Sequence, residues 1–333
     1  MSQVLPDKEG TVSEEAQDGQ GATRPGAPAE PVKRIEGRTP TQLALARLRQ
    51  DRVAVASFIF IVLLVLVAVF APLIVSLLGH PPNDTSMYEQ TTNEFGAPKG
   101  PNFSIQFWFG ADQFGRDLFS RVIYGARVSL IVGIVATGLA LTIGVIVGML
   151  AGFYRGWIDT LLSRIMDILL SIPFLLLALA LVSVFTPSLW IIILVISFIT
   201  WTYIARIIRG QVLSLREKEF VEASRSLGAS NLRIIFRDIF PNLTAPIIIY
   251  ASLVIPANIL TEAYLSFLGL GVPPPTATWG QMLADSNDYY QVAWWMVVFP
   301  GMALLLTTLA FNLLGDGLRD AFDPRGNQTS GRL

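Results

Sequence analysis

Residues 219–242 read EFVEASRSLGASNLRIIFRDIFPN, a polar stretch that lies between two long apolar runs of the chain. Six of its side chains are charged, and a glycine lies near its middle. Apolar residues recur at helical spacing on both sides of that glycine, as Phe220, Val221 and Leu227 before it and as Leu232, Ile235, Phe236 and Ile239 after it. Because glycine readily takes the left-handed conformation that ends helices, the pattern predicts a short helix, a turn at Gly228, and a second helix that Ser230 caps.

The flanking runs have the composition of membrane-spanning segments. The chain has 333 residues, of which 52% are hydrophobic and 15% charged, whereas soluble proteins have about 25% charged residues. Six apolar runs reach the roughly 20 residues that a helix needs to cross the hydrocarbon core of a bilayer, and they cover residues 53–78, 126–151, 161–185, 188–208, 243–268 and 293–314. A helix satisfies its own backbone hydrogen bonds, so the sequence predicts an all-α integral membrane protein with six transmembrane helices.

Lysine and arginine set the orientation. They concentrate before the first run, between runs four and five, and after run six, and Arg155 lies between runs two and three, whereas the segment between runs one and two and the start of run two contain only Lys99, Arg116, Arg121 and Arg127. The positive-inside rule therefore predicts a multi-pass protein of the plasma membrane with both termini and the 219–242 stretch in the cytoplasm. The predicted organisation is a disordered cytoplasmic tail (1–40), an N-terminal segment with the first transmembrane helix (41–78), an extracytoplasmic segment (79–125), a core of five helices (126–317) and a second cytoplasmic tail (318–333).

The extracytoplasmic segment contains one further helical pattern. Phe114, Leu118 and Val122 recur at helical spacing with charged residues between them. This pattern predicts an amphipathic helix that lies on the outer membrane surface.

Composition argues against several functional classes. The formal net charge is −1, which gives no indication of nucleic acid binding, and the chain has no cysteine and a single histidine, His80. No phosphate loop of the form GxxxxGK[ST] occurs, and neither do the HExxH or GxSxG motifs of hydrolases. We therefore expect no catalytic residue, no metal site and no cofactor in this chain.

Polar residues inside the predicted spans are candidates for function, because a charge in the bilayer is costly. Asp167 has Arg164 one turn before it, and the two form either a structural pair or a substrate contact. Asn258 and Glu262, one turn apart, either line a translocation path or bond a neighbouring helix. Four glycines of the second run are expected to allow close helix packing, namely Gly133, Gly138, Gly144 and Gly148.

The 219–242 stretch resembles the EAA loop of importer-type ABC transporter permeases, whose pattern is Glu-Ala-Ala, three residues, Gly, nine residues, and Ile-x-Leu-Pro. The chain follows that spacing at Glu222, Ala223, Ser224, Gly228 and Pro241, and it departs from the usual residue at Ser224, Asp238 and Phe240. Residues 110–130, 265–283 and 315–325 resemble the C-type subunit of dipeptide and oligopeptide permeases, whose motifs nickel importers share. The resemblance covers about residues 40 to 325.

This resemblance implies a type I ABC importer permease fold with a cytoplasmic coupling helix. It implies a heterodimer with a second homologous permease, two ATP-binding subunits that hold ATP and Mg, an extracytoplasmic substrate-binding protein, and surrounding lipid. The residues that it places against an ATPase are Glu219, Phe220, Glu222, Ala223, Ser224, Leu227, Gly228 and Ala229.

The implied cargo is di- or oligopeptides, and import of nickel or another small solute is the alternative. No histidine lies within a span, which favours peptides because Ni²⁺ prefers imidazole ligands; a binding protein can also deliver chelated metal, so both remain open. A stand-alone channel or secondary transporter is a more distant alternative, since it needs no docking loop and is expected to carry a selectivity filter or ionisable sites at the midplane.

Overall fold

The computed structural model describes residues 40–322, and every structural statement below refers to that range. The predicted N-terminal tail (1–40) lies outside the described residues except for Pro40. The predicted C-terminal tail (318–333) lies outside them from residue 323 onward. The helices, in chain order, are α1 (Pro40–Leu48), α2 (Arg52–Val69), α3 (Ala71–Leu78), α4 (Tyr88–Thr91), α5 (Leu118–Tyr154), α6 (Gly156–Ser171), α7 (Phe174–Val184), α8 (Leu189–Leu215), α9 (Glu219–Ser226), α10 (Asn231–Phe267), α11 (Trp279–Asp285) and α12 (Trp295–Phe322).

Five of the described helices are long and apolar enough to cross a membrane, namely α2, α5, α8, α10 and α12. The helices α6 and α7 together supply a sixth crossing if the pair is taken as one span. The predicted all-α membrane fold is therefore confirmed, with five membrane-crossing helices in the described residues and a sixth crossing if α6 and α7 together form one. Since α5 and α10 each have 37 residues, each is about 55 Å long and extends well beyond a hydrocarbon core of about 30 Å.

In the third span over 161–185, Pro173 predicts a kink, and the structure has a complete break there. α6 ends at Ser171, α7 begins at Phe174, and the two helices meet at 90°. The ring of Pro173 disfavours helical backbone in the residue before it, and Ile172 is accordingly extended, with φ −85° and ψ 127°. The apolar composition of this run continues through the break, so hydropathy does not reveal it.

The prediction of an amphipathic helix on the outer surface is also wrong. Phe114 lies in a turn ahead of α5, and Leu118 is the first residue of the membrane helix itself. Asp117 caps that helix by accepting a hydrogen bond from the N–H of Phe119 at 3.1 Å. Leu118 and Val122 are buried against other parts of the protein rather than lipid. The predicted core boundary at residue 126 consequently falls inside α5.

α5 packs closely on α8 through glycines spaced four residues apart, a contact that we call the glycine seam. A Cβ on Gly148 would lie 2.6 Å from the backbone oxygen of Ala205, and one on Gly152 would lie 2.8 Å from the Cβ of Val212. Such distances mean that only glycine fits. The prediction of close packing is confirmed for Gly133, Gly144 and Gly148, whereas a Cβ on Gly138 would have no described atom within 4 Å.

Residues 79–117, which we call the cap segment, fold over the N-terminal end of α5. Three isolated bridges order the segment, pairing Thr92 with Pro98, Asn102 with Phe107, and Ala111 with Asp117. The indole N–H of Trp295 in α12 donates to the backbone oxygen of Ala111 at 3.0 Å. The contact of Gly152 with Val212 brings together the C-terminal ends of α5 and α8, so α9 follows from the end of α5 opposite the cap segment.

A buried group of charges connects the cap segment to the helices. The Arg116 guanidinium lies 2.6 Å from the Asp112 carboxylate and 4.0 Å from that of Asp285 in α11. Arg121 of α5 lies 3.4 Å from Asp112 and donates to the side-chain oxygen of Asn83 at 3.1 Å. Because buried charges are stable only when they are paired and hydrogen-bonded, this network fixes the position of the cap segment.

Candidate docking site

α9 is a two-turn helix that ends in a Schellman motif. The N–H of Ala229 donates to the backbone oxygen of Ser224, and the N–H of Gly228 donates to that of Arg225, each at 3.0 Å. Gly228 has φ +77°, a conformation that costs a residue with a Cβ roughly 1 kcal/mol or more. The predicted helix and glycine turn are confirmed, with Leu227 as the C-terminal cap.

The second helix begins where the sequence predicts. The hydroxyl of Ser230 accepts a hydrogen bond from the N–H of Arg233 at 3.4 Å, which satisfies one of the free donors at the start of α10. The turn between the two helices is therefore defined on both sides, by the Schellman motif before it and by the Ser230 cap after it.

α10 contains a π-helical stretch, Ile234–Ile239, just before Pro241. Proline has no N–H, and its ring clashes with the carbonyl four residues earlier, here that of Arg237. The wider π turn accommodates the proline without ending the helix, and the side-chain amide of Asn242 donates to the backbone oxygen of Asp238 at 2.7 Å. As a result, α10 runs without a break from the docking turn into the membrane domain.

One side chain anchors α9 to the rest of the protein. Val221 is fully buried. It belongs to an apolar cluster with residues of α5, α8 and the π-helical stretch, among them Met149, Phe153, Ile208, Val212, Ile234 and Ile239. The sequence does not identify this role, because Val221 and its neighbour Phe220 look equally suited to either face of the helix.

The eight predicted docking residues are all at least partly accessible. Glu219, Phe220, Glu222, Ala223, Leu227 and Gly228 are exposed, while Ser224 and Ala229 are half-buried. The predicted single apolar stripe of α9 is therefore wrong, since Val221 points inward while Leu227 is 88% exposed. The stripe of α10 divides in the same way, with Ile235 buried and Phe236 exposed. Exposed apolar side chains grouped in a polar region are typical of a surface that binds a partner.

A cavity of about 260 Å³ lies between α9 and the start of α10. Its lining consists of Ser224, Leu227, Gly228, Ala229, Arg233, Arg237 and Asp238. Four of these residues belong to the predicted docking set, and the other three add charge of both signs. The site thus offers a partner an apolar rim beside groups that can form ion pairs.

Two ion pairs fix the C-terminal half of α8 to α6. Arg209 contacts both carboxylate oxygens of Asp159, at 2.5 and 2.7 Å. Arg206 donates to Asp167 at 2.5 Å, and both side chains of that pair are about half exposed. Asp167 therefore pairs with Arg206 rather than with Arg164, the partner that the sequence predicts.

The end of α8 is also attached to the end of α5. The Arg216 guanidinium donates to the backbone oxygen of Phe153 at 2.5 Å, which satisfies a free carbonyl in the last turn of α5. Arg155 and Glu217 form an exposed ion pair beside it. These contacts hold the point from which α9 begins.

Asn258 and Glu262 of α10 lie in the interior of the protein. The Asn258 amide donates to the hydroxyl of Thr137 at 2.9 Å and accepts from that of Thr200 at 3.2 Å. Glu262 is fully buried and accepts from the hydroxyl of Ser129 at 3.3 Å. These bonds join α10 to α5 and α8, which favours the helix-joining role, and a place for either residue on a translocation path stays a prediction.

Comparison with known proteins identifies the family. Residues 144–327 match the family described as the binding-protein-dependent transport system inner membrane component, and residues 39–98 match the N-terminal TM domain of oligopeptide transport permease C. The chain belongs to this family of binding-protein-dependent permeases. The permease is accordingly a multi-pass, non-catalytic subunit of an ABC importer, and such subunits work with ATPase and substrate-binding partners.

Several curated relatives resemble the permease along most of its length. The dipeptide transport system permease protein DppC of Alkalihalophilus pseudofirmus is 44% identical and is matched over 86% of this chain and 90% of its own. The oligopeptide transport system permease protein OppC of Bacillus subtilis is 42% identical over 85% of this chain and 88% of its own. The glutathione transport system permease protein GsiD of Escherichia coli is 41% identical over 88% and 93%.

A solved structure shares the fold. The MetNI methionine ABC transporter, crystallised in inward-facing conformations, contains a chain that is 20% identical to the permease, with a TM-score of 0.52. The match covers 60% of this chain and 96% of that chain. At this identity the similarity concerns the fold alone, and it agrees with the predicted type I importer architecture.

Proposed function

We propose that the permease translocates di- and oligopeptides as one of two homologous permease subunits of an ATP-driven importer. The observation that carries this proposal is the docking site: a short helix that is capped at a fixed angle, anchored by Val221 and lined with exposed apolar side chains. The names of the relatives support peptides over nickel, because dipeptides and oligopeptides are named as their cargo and glutathione is itself a modified tripeptide.

In this proposal α9 is the coupling helix and binds a groove of an ATPase subunit. When ATP closes the two ATPases, α9 moves with the groove. The Schellman turn at Gly228 and the unbroken α10 then carry that displacement into the membrane domain, where it changes which side of the membrane the path faces. Glu222 pairs with a cation or with backbone N–H groups of the ATPase.

The proposed assembly contains two permeases, two ATPases and one extracytoplasmic binding protein in the inner membrane of a bacterium. Both termini of the permease lie in the cytoplasm, which the distribution of Lys and Arg supports. The position of α9 at the end of α5 opposite the cap segment agrees with this orientation. ATP and Mg bind the partner subunits, and this chain holds no cofactor.

The proposal is tested with the importer assembled in nanodiscs, by comparing substrate-stimulated ATPase activity and peptide uptake. Glu222→Ala removes a proposed contact with the ATPase. Gly228→Pro removes the N–H that bonds Arg225 and is incompatible with a φ of +77°. We expect both variants to hydrolyse ATP with weaker coupling to uptake, or to bind the ATPases less tightly.

Asp288→Ala is the control, since it removes an exposed carboxylate three residues after Asp285, which contacts Arg116 of the cap segment at the end of α5 opposite α9. Normal coupling and normal assembly in both the Glu222 and the Gly228 variant would show that α9 is not the docking helix. Uptake of Ni²⁺ with no uptake of peptides would instead overturn the proposed cargo.

A further inference from the structure

Two side chains are the most exposed large apolar residues in the described part of the chain, Phe95 at 93% and Leu227 at 88%. Leu227 lies on the proposed ATPase-docking surface. Phe95 lies on the cap segment, at the opposite end of α5, and the function proposed above gives it no role. We infer that Phe95 and the residues around it are the docking surface for the substrate-binding protein.

Phe95 lies in a hydrogen-bonded turn, and its side chain is exposed. The side-chain oxygen of Asn93 accepts hydrogen bonds from the N–H of Phe95 at 3.0 Å and from that of Ala97 at 2.8 Å. The bridge between Thr92 and Pro98 closes the hairpin behind it. Because the backbone of this turn is already ordered, binding at Phe95 costs little backbone conformational entropy, and burial of the ring contributes to affinity.

The surface beside Phe95 is concave and acidic. A depression of about 720 Å³ has Tyr88, Glu89, Thr92, Glu94, Phe95 and Lys99 in its lining. Glu89 and Glu94 are exposed, and the Lys99 ammonium donates to the backbone oxygen of Gln90 at 3.0 Å, so the lining carries two carboxylates and one ammonium and is negative by one charge. The surface therefore combines a protruding aromatic ring with a hollow and two free carboxylates.

The negative charge around Phe95 favours a protein partner over a lipid surface. Carboxylates are repelled by anionic headgroups, so this tip is poorly suited to insertion between lipids. An aromatic anchor surrounded by charged residues is typical of the centre and rim of protein–protein interfaces. The complementary partner has an apolar pocket bordered by Lys or Arg. This inference rests on the proposed function, which supplies a binding protein as the partner on this side.

Binding at this surface would act on the membrane helices through a short path. The backbone oxygen of Lys99 accepts from the N–H of Ala111 at 3.0 Å, and the backbone oxygen of Ala111 accepts from the indole of Trp295 at 3.0 Å. The hairpin that carries Phe95 is thereby attached to the start of α12.

The first test titrates the importer in nanodiscs with the purified binding protein that stimulates its ATPase activity. For Phe95→Ala we expect the half-saturating concentration to rise at least about tenfold, as for an aromatic hot spot. Phe103→Ala is the matched control, because Phe103 is also on the cap segment and is 68% exposed; we expect a change below about twofold. Glu94→Lys should slow association and weaken its dependence on salt.

A second test locates Phe95 directly. The chain has no cysteine, so Phe95→Cys and Phe103→Cys can each carry one environment-sensitive fluorophore, with cysteine-free partner subunits. We expect the emission at position 95 alone to shift to the blue when the binding protein is added. Emission at position 95 that is already blue-shifted in nanodiscs before addition would place Phe95 against lipid or the second permease and overturn the inference.

The outcomes separate this inference from the proposed function. If the binding protein stimulates the wild type and Phe95→Ala with the same half-saturating concentration, the docking surface is wrong and the proposed function stands. If no binding protein stimulates the wild type, the proposed function is overturned and this inference with it.

Discussion

Replacing Val221 by alanine tests whether one buried side chain holds α9 to the membrane domain. Val221 is fully buried, and the substitution removes two carbon groups, each of which contributes about 0.8 kcal/mol when buried. A loss of about 1.6 kcal/mol raises the population of detached α9 by about 15-fold. The amide groups of Leu227, Gly228 and Ala229 bond within this helix and its turn, so they report its opening.

Hydrogen–deuterium exchange in nanodiscs measures that opening. We expect peptides that cover residues 219–229 to exchange about 15-fold faster in Val221→Ala than in the wild type. Val132→Ala is the control, since Val132 is equally buried but belongs to a different apolar cluster in α5. If exchange of this region in Val221→Ala matches that in Val132→Ala, the anchor lies elsewhere and the reasoning fails.

Two further substitutions test the contacts of α8 with α5 and with α6 by thermal unfolding in detergent. Gly148→Ala places a Cβ 2.6 Å from the backbone oxygen of Ala205, and we expect destabilisation by about 1–3 kcal/mol. Gly138→Ala should not lower the midpoint, because its Cβ has open space and alanine favours the helix. A Gly148→Ala midpoint equal to that of the wild type would argue against the glycine seam. Arg209→Lys cannot form both bonds to Asp159, and we expect a loss of about 1–2 kcal/mol. An unchanged midpoint would mean that this pair does not stabilise the contact of α6 with α8.

The number of spans and the docking turn could be predicted because each depends on local chemistry. Hydropathy alone identifies a run of apolar residues long enough to cross lipid. The turn at Gly228 depends on the conformational freedom of a single residue and on Ser230 two positions later. Neither signal requires knowledge of distant parts of the chain.

The errors arise where distant residues decide the outcome. Leu118 and Val122 have the spacing of a surface helix, but Trp279 covers them, and its indole donates to the backbone oxygen of Val122 at 3.0 Å. Asp167 pairs with Arg206 rather than with the nearer residue in sequence. The sequence pattern indicates whether a side chain requires an apolar environment or a charged partner. Which residue supplies that contact is determined by the tertiary structure.

The length of α5 has a consequence for where the permease can bend. This helix runs about 55 Å without interruption, from the buried charges beneath the cap segment to the carbonyls that Arg216 engages, and the glycine seam supports its C-terminal half. Its uninterrupted backbone and its close packing on α8 favour movement of the helix as one unit. The place where the membrane helices can change their relative angle is then the 90° corner at Ile172 and Pro173, whereas the hydrogen-bonded turn at Gly228 keeps α9 at its angle to α10.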